Sequence, residues 1–334
     1  MRRSRAGTIA GLVGGCAALA VVLVLSIAVG ARDIPFGEAL RVAFQPDGTE
    51  ASLIVHDLRI PRTVIGLVAG AALAVAGAVM QALTRNPLAD PGLLGVNAGA
   101  GLAITVAVAA FGATTMVAFA GAAFVGALLG TLLVLGIAAA GHDRDKAARL
   151  VLAGLALAAI FGGISMAVAM MLPRVFVSYR AWTVGSLAGR DLGGAVPLLV
   201  VAVLALAGGL LLARGLGTLA LGDDHARALG TPVRFVRLSS LLVVTMLAAT
   251  ATALMGPVAF IGLLVAHAVR LFTGPSQPWI IAACLVYGPL ILLGADVAGR
   301  VVARPGELPV SLMTALLGAP VLIALITRRR PVAS

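Results

Sequence analysis

Arginines beside apolar segments are the side chains in this sequence best suited to bind a charged partner. Arg59 and Arg62 bracket Pro61 just before one apolar segment, and Arg300 lies at the end of another. The planar arginine fork binds a carboxylate through two parallel hydrogen bonds. The three arginines therefore predict a surface that recognises acidic side chains. The alternative is that they anchor the chain at a membrane interface or contact phospholipid.

One acid, Asp296, lies inside a predicted apolar span, four residues before Arg300. A carboxylate at membrane depth is by default a functional hypothesis, for example a proton-coupling site. The four-residue spacing favours instead a local ion pair on one face of a helix. Arg304 and Glu307 follow closely and could pair with each other.

The sequence predicts neither a catalytic site nor a metal site. The four histidines are isolated, and they form no His-Glu-x-x-His motif or Cys/His cluster. The only lysine, Lys146, does not belong to the glycine-rich motif that holds ATP phosphates. We therefore expect this chain not to be an enzyme and to bind no cofactor. Any ATP-Mg would be bound by a separate ATPase.

Composition places the chain in a membrane. Hydrophobic residues make up 61% of it, charged residues 11%, and the mean hydropathy is +1.11, values that exclude an ordinary soluble domain. The net charge of +11 does not indicate nucleic-acid binding, because the basic residues fall between apolar segments. We interpret residues 1–334 as a single all-α transmembrane domain.

Apolar segments long enough to approach or cross a bilayer number about ten. The first follows a basic N-terminus and is too long for a signal peptide, so we expect it to remain as a span. Segment 258–271 is too short to cross unless protein shields its ends. Residues 31–58 are expected to form an external loop that carries a short amphipathic helix, Phe36–Phe44. The predicted spans are residues 9–29, 64–83, 93–110, 116–140, 147–172, 194–213, 233–254, 258–271, 279–297 and 309–326.

The distribution of Lys and Arg predicts the orientation. With ten spans both termini share one side of the membrane, and that side collects fifteen of the 24 basic residues, against nine on the other. Basic residues are more frequent in cytoplasmic loops. Both termini are therefore expected in the cytoplasm.

Four motifs, spread over most of the chain, carry a family resemblance. They read RIPR at 59–62, GAxxAxxGxxMQxxxRNPLADPxxLGxxxGA at 70–100, GPVAFIGLLVAHAVR at 256–270 and GELPVSLMTALLGAP at 306–320. The chain resembles FecCD-type permeases, the membrane subunits of ATP-binding-cassette (ABC) importers for ferric siderophores, haem and cobalamin (vitamin B12).

The resemblance implies a type II ABC importer permease fold in the bacterial cytoplasmic (inner) membrane. It implies a second permease subunit, identical or different, two ATP-binding-cassette subunits and an extracytoplasmic binding protein that delivers a ferric siderophore. Cobalamin and haem remain alternative cargoes. A secondary transporter driven by protons or sodium through Asp296 is the alternative from another class.

The resemblance also implies roles for particular residues. Binding-protein carboxylates would dock on Arg59, Arg62 and Arg300. Residues 214–232 would form the cytoplasmic segment that couples to the ATPase, where early acids and a final glycine suit a short capped helix; a solvated connecting helix is the alternative. The coupling residues would be Gly222, Asp223, Asp224, Ala226, Arg227, Leu229 and Gly230.

The translocation path would lie between two permease subunits, lined by the fifth and tenth spans. Two prolines, Pro87 and Pro91, require a break after the second span, because proline interrupts helices. This turn would close the path on the cytoplasmic side. The predicted gate residues are Asn86, Pro87, Leu88, Ala147 and Ala148, and the predicted lining residues are Met166, Met170 and Met171. Ordinary helix packing is the alternative for the methionines.

Overall fold

The computed structural model describes residues 5–140 and 146–328, and within these residues the chain is all-α. A π-helical turn, Ile54–Arg59, and a 3₁₀ turn, Pro91–Leu94, lie between α-helices. The α-helices are α1 Arg5–Ala28, α2 Phe36–Phe44, α3 Glu50–Leu53, α4 Ile60–Thr84, α5 Val96–Phe111, α6 Met116–Ala139, α7 Lys146–Met171, α8 Pro173–Thr183, α9 Leu192–Leu219, α10 Asp223–Ala228, α11 Val233–Met255, α12 Ile261–Thr273, α13 Gln277–Val302 and α14 Val310–Arg328.

Ten apolar helices correspond to the ten predicted spans. In the described residues, seven helical segments are long and apolar enough to cross a membrane, and three shorter apolar helices accompany them. The predicted amphipathic helix has the bounds Phe36–Phe44. Helix α8 was not predicted, because its sequence, PRVFVSYRAWT, mixes apolar and polar residues without a membrane-length run.

The short eighth span is shielded by protein, as its length requires. Helix α12 has 13 residues and is about 20 Å long at 1.5 Å per residue, less than the roughly 30 Å of a hydrocarbon core. Most of its residues are buried against the neighbouring helices. The chain therefore buries Ile261, Gly262 and Leu263 at the start of α12 and Thr273 at its end, while Leu271 is exposed.

Helix α4 is the centre of the bundle. In its most apolar 18-residue stretch 83% of the residues are buried, whereas the corresponding shares are 11% for α1 and 22% for α7. Helices α9, α11, α12 and α13 surround it. An α4 made mostly of Ala, Gly and Val lets these helices approach closely, since no lipid-driven hydrophobic force acts between them.

Two glycine contacts set the approach distance at α4. A Cβ on Gly77 would lie 2.4 Å from the backbone of Gly262 in α12, and a Cβ on Gly70 would lie 2.8 Å from the backbone of Pro289 in α13. Neither neighbour is a side-chain tip that can rotate away. Any side chain here must push a helix outward.

Replacing Gly77 with Ala tests this packing. We expect a loss of about 1–3 kcal/mol in the free energy of unfolding, because overpacking forces backbone shifts. The control is Gly136→Ala on α6, where an added Cβ meets nothing within 4 Å. Thermal unfolding of the two variants in the same detergent gives the comparison. Equal melting temperatures would contradict this expectation, because they would show that α12 accommodates the added methyl group without a loss of stability.

Candidate functional site

A cavity of about 550 Å³ opens at the end of the bundle where α1 ends and α4 begins. We call it the arginine cavity. Its wall carries four arginines and two glutamates, which are Arg32, Arg59, Arg62, Arg300, Glu50 and Glu307. The three arginines that the sequence proposed for docking thus line one cavity, although they come from distant parts of the chain.

These three arginines are buried, which the sequence did not indicate. The exposed fractions are 4% for Arg59, 7% for Arg62 and 1% for Arg300. Arg32, by contrast, has a side chain that is 62% exposed, and its Nη2 donates to Glu50 Oε2 at 2.8 Å. A partner would reach the buried guanidiniums only through the cavity.

Asp296 lies between Arg62 and Arg300. Arg62 donates from Nε to Oδ2 of Asp296 at 2.9 Å and from Nη2 to Oδ1 at 2.7 Å. Arg300 donates from Nη2 to Oδ2, also at 2.7 Å. The predicted Asp296–Arg300 ion pair is confirmed, and a bidentate partner 234 residues away is added to it. The carboxylate is completely buried.

Glu307 is the second acidic side chain that accepts a hydrogen bond from Arg62. Arg62 Nη1 donates to Glu307 Oε2 at 2.6 Å, and the glutamate side chain is 30% exposed. The suggested pairing of Arg304 with Glu307 is wrong, because Arg304 instead forms an ion pair with Asp33 at 2.8 Å. The fork of Arg62 therefore holds one buried and one accessible carboxylate.

The other two guanidiniums bind the C-terminal end of α1. The last carbonyl groups of a helix have no partner within it and carry its partial negative charge. Arg59 and Arg300 donate to these carbonyls and so satisfy them. Within α1 the acceptors are the carbonyl oxygens of Ile27 and Ala28 for Arg59, at 3.0 and 2.6 Å, and that of Ser26 for Arg300, at 2.8 Å. Just beyond the helix, Arg300 also donates to the carbonyl oxygen of Val29 and Arg59 to that of Arg32, both at 2.8 Å.

At the opposite end of α4, the predicted short helix is present as α10. It begins after Gly222, whose φ is +114°, and is followed by Gly230 at φ +75°, both conformations that L side chains rarely adopt. Ala226 is fully buried. Leu221 and Leu229 are 63% and 64% exposed. The segment thus presents apolar side chains outward.

Asp223 connects this helix to two other segments. Its carboxylate accepts hydrogen bonds from Arg85, just after α4, and from Arg237 in α11, the latter at 3.0 Å. Arg85 Nε also donates to the carbonyl oxygen of Leu219 at 3.0 Å. Burial raises the pKa of Asp223, but hydrogen bonds and attraction from Arg237 and Arg85 outweigh it and hold the pKa below its ordinary value.

The predicted break after the second span is confirmed as a turn. Arg85 has φ +52° and ends α4 in the left-handed conformation. Asn86 Oδ1 then accepts a hydrogen bond from the Leu88 amide at 3.0 Å, and Asp90 Oδ1 accepts one from the Gly92 amide at 2.7 Å. These side chains replace the helical bonds that prolines remove. Leu88 is 39% exposed, and the gate role of this turn stays a prediction.

The methionines proposed for the pathway lie on the exposed side of α7. Met166, Met170 and Met171 are 51%, 79% and 80% exposed. Packing within the described chain therefore does not account for these side chains, and their role in lining a pathway stays a prediction. The gate prediction for Ala147 and Ala148 concerns side chains outside the described residues.

Sequence reasoning missed the two ionic junctions that join distant segments, Arg62 with Asp296 and Glu307, and Arg85 with Asp223. A usable signal existed only for the first, since a lone acid in an apolar span requires a cationic partner. Neither the sequence nor the spacing identified which arginine would supply it.

Comparisons with known proteins agree on one family. The protein-family model described as the FecCD transport family matches residues 18–328. The ferric enterobactin transport system permease protein FepD of Escherichia coli (strain K12) is 43% identical over 311 residues, covering 93% of each chain. The iron(3+)-hydroxamate import system permease protein FhuB of Bacillus subtilis (strain 168) is 37% identical, covering 97% of this chain and 84% of the relative.

A solved structure shares the fold. It is described as an inward-facing conformation of a protein assigned to the metal-chelate type of ABC transporter. The TM-score is 0.81, with 24% sequence identity, and the match covers 95% of this chain and 98% of the other.

Replacing Asp296 with Asn tests the buried junction. We expect the free energy of unfolding to fall by about 3–5 kcal/mol, because two buried guanidiniums lose their shared counterion. Denaturant titration of the purified chain in detergent measures the loss. The matched control is Asp33→Asn, which removes a carboxylate 83% exposed and paired with Arg304, and should change the free energy by less than about 1 kcal/mol. Similar losses in both variants would contradict a dominant role for Asp296.

Proposed function

This chain belongs to the FecCD transport family, and we propose on that premise that it is the permease subunit of an ATP-driven importer of a ferric siderophore. The observation that carries the proposal is the match over nearly the whole chain to relatives named for ferric enterobactin and iron(3+)-hydroxamate transport. Cobalamin and haem remain alternative cargoes within the family. In the proposed role the chain docks the binding protein, gates the translocation path and couples that path to the ATPase. ATP would be hydrolysed by a separate subunit.

The proposed orientation places the chain in the bacterial cytoplasmic membrane with both termini inside. The arginine cavity then faces outward, toward an extracytoplasmic binding protein. Helix α10 and the turn after α4 face the cytoplasm, where two ATPase subunits would bind. The majority of basic residues on the α10 side supports this orientation.

A second permease subunit, identical or different, is proposed to cover α7 and α14. Both helices expose large apolar side chains, including Met170 and Met171 on α7 and Leu316 and Leu317 on α14. Exposed apolar surface of this kind suits a translocation path between two subunits as well as lipid. The fifth and tenth spans are the helices proposed to line that path.

Coupling is proposed to run through α10. The exposed Leu221 and Leu229, which lie just before and just after α10, suit insertion into an apolar cleft of an ATPase subunit, and Asp224 and Arg227 lie between them at the surface. The hydrogen bond that Arg85 donates to Asp223 would pass a displacement of α10 directly to the gate turn at Asn86.

Proton coupling through Asp296 is less well supported. Both oxygens of the carboxylate already accept hydrogen bonds from Arg62 or Arg300. A carboxylate enclosed by two guanidiniums leaves no oxygen free for a transported proton. The geometry instead favours a structural and positioning role.

Replacing Leu229 with Glu tests the coupling surface. We expect the variant to lose most of its association with the ATPase subunit, because a charge would enter an apolar contact at a cost of about 2–4 kcal/mol. Leu58→Glu, which alters a leucine 53% exposed at the opposite end, is the control. Co-purification of the ATPase subunit from membranes provides the measurement. Equal recovery with both variants would remove α10 from the interface.

Reconstitution tests the importer role and the cargo together. The chain is placed in proteoliposomes with a candidate ATPase and a candidate binding protein from the same organism, and ATP hydrolysis is measured with ferric enterobactin, a ferric hydroxamate, haem or cobalamin. We expect one ferric siderophore, with its binding protein, to stimulate hydrolysis. Stimulation only by haem or cobalamin would reassign the cargo. Absence of ATPase association, with uptake that stops when the proton gradient is removed, would refute the ABC importer role.

A further inference from the structure

The arginine cavity holds more positive than negative charge in its buried part. Three buried guanidiniums, those of Arg59, Arg62 and Arg300, face two carboxylates, those of Asp296 and Glu307. Within the described chain Arg59 bonds only to main-chain carbonyls, and the buried Arg300 Nε has no hydrogen-bond partner. The cavity therefore attracts a further anion.

The two carboxylates differ in how firmly they are held. Asp296 lies on α13, is fully buried and receives bonds from both Arg62 and Arg300. Glu307 lies on the segment between α13 and α14, is 30% exposed and, in the described residues, bonds to Arg62 Nη1 alone. It also lines the arginine cavity. Only Glu307 is placed to leave.

We propose that Glu307 is a resident occupant of an exchangeable carboxylate site on Arg62 Nη1. An acidic side chain of the extracytoplasmic binding protein takes this site when it docks, and Glu307 turns into the cavity. This exchange rests on the proposed function, which supplies the partner. A carboxylate replaces a carboxylate, so Arg62 is never left buried without a counterion, a state that is strongly destabilising.

Asp296 acts as a positioning residue that makes the exchange specific. By binding Nε and Nη2 it fixes one edge of the Arg62 guanidinium. The remaining Nη1 then points toward Glu307 on the cavity wall. Because the guanidinium is planar and cannot turn independently of that edge, the open site has a fixed direction.

Glu307→Gln tests the exchange. The amide has the size of the glutamate side chain but no charge. An external carboxylate therefore no longer competes with a resident carboxylate for Arg62, and the net charge of the cavity is more positive by one. The probe is acetate, titrated against chloride at constant ionic strength, with the purified chain in lipid nanodiscs. We expect the acetate concentration at half-maximal thermal stabilisation to fall at least about tenfold.

The matched control is Glu38→Gln on α2, which makes the same change of charge outside the arginine cavity. Its acetate midpoint should equal that of the unmodified chain. An equal shift in both variants, or no shift in Glu307→Gln, would overturn the exchange. The elution profile of each variant on gel filtration confirms that it is folded.

A second measurement separates the exchange from docking. The affinity of a candidate binding protein from the same organism for the chain in nanodiscs is measured by surface plasmon resonance. We expect Glu307→Gln to tighten it about tenfold relative to Glu38→Gln. A tighter acetate site with unchanged binding-protein affinity would support the site on Arg62 and refute the docking half of the exchange. Unchanged acetate binding would refute the site itself.

Discussion

Buried guanidiniums need compensating negative charge, and this need determines how the helices are arranged around the arginine cavity. In a low-dielectric environment an unpaired charge is strongly unfavourable. Three arginines from α13, α4 and the turn before α4 meet there, and the surrounding chain supplies the carboxylates of Asp296 and Glu307 and the final carbonyls of α1. The same bonds hold α1, α4 and α13 together.

Close backbone approach is the second constraint, and it makes α4 the central element. Gly70 and Gly77 allow α13 and α12 to touch its backbone, so at these two positions no side chain separates the helices. Helix α4 has 25 residues, which gives a length of about 38 Å at 1.5 Å per residue. Helix α4 is therefore long enough to cross the roughly 30 Å of a hydrocarbon core.

Helix α4 is bonded to a charged junction at each end. At its start, Arg62 binds Asp296 and Glu307 beside the arginine cavity. Just past its end, Arg85 binds Asp223 of α10 and precedes the turn that contains Asn86. In the proposed importer, one continuous helix thus connects the surface that meets the binding protein with the segment that meets the ATPase. The apolar side chains exposed on α7 and α14 are where the proposed second subunit would bind.

The sequence by itself determined the number of apolar helices, the break at Pro87 and Pro91, the short helix α10 and the family, because each depends on local composition, on proline geometry or on motifs read in order. It also supplied the pairing of Asp296 with Arg300, since a four-residue spacing places both on one helix face. Only the tertiary structure decided that Arg62 is the second partner of Asp296, that Glu307 pairs with Arg62 instead of Arg304, and that Arg85 binds Asp223. The physical reason is that these bonds join residues far apart in the chain. Whether such residues meet depends on how the helices pack against one another, and no local pattern in the sequence records that packing.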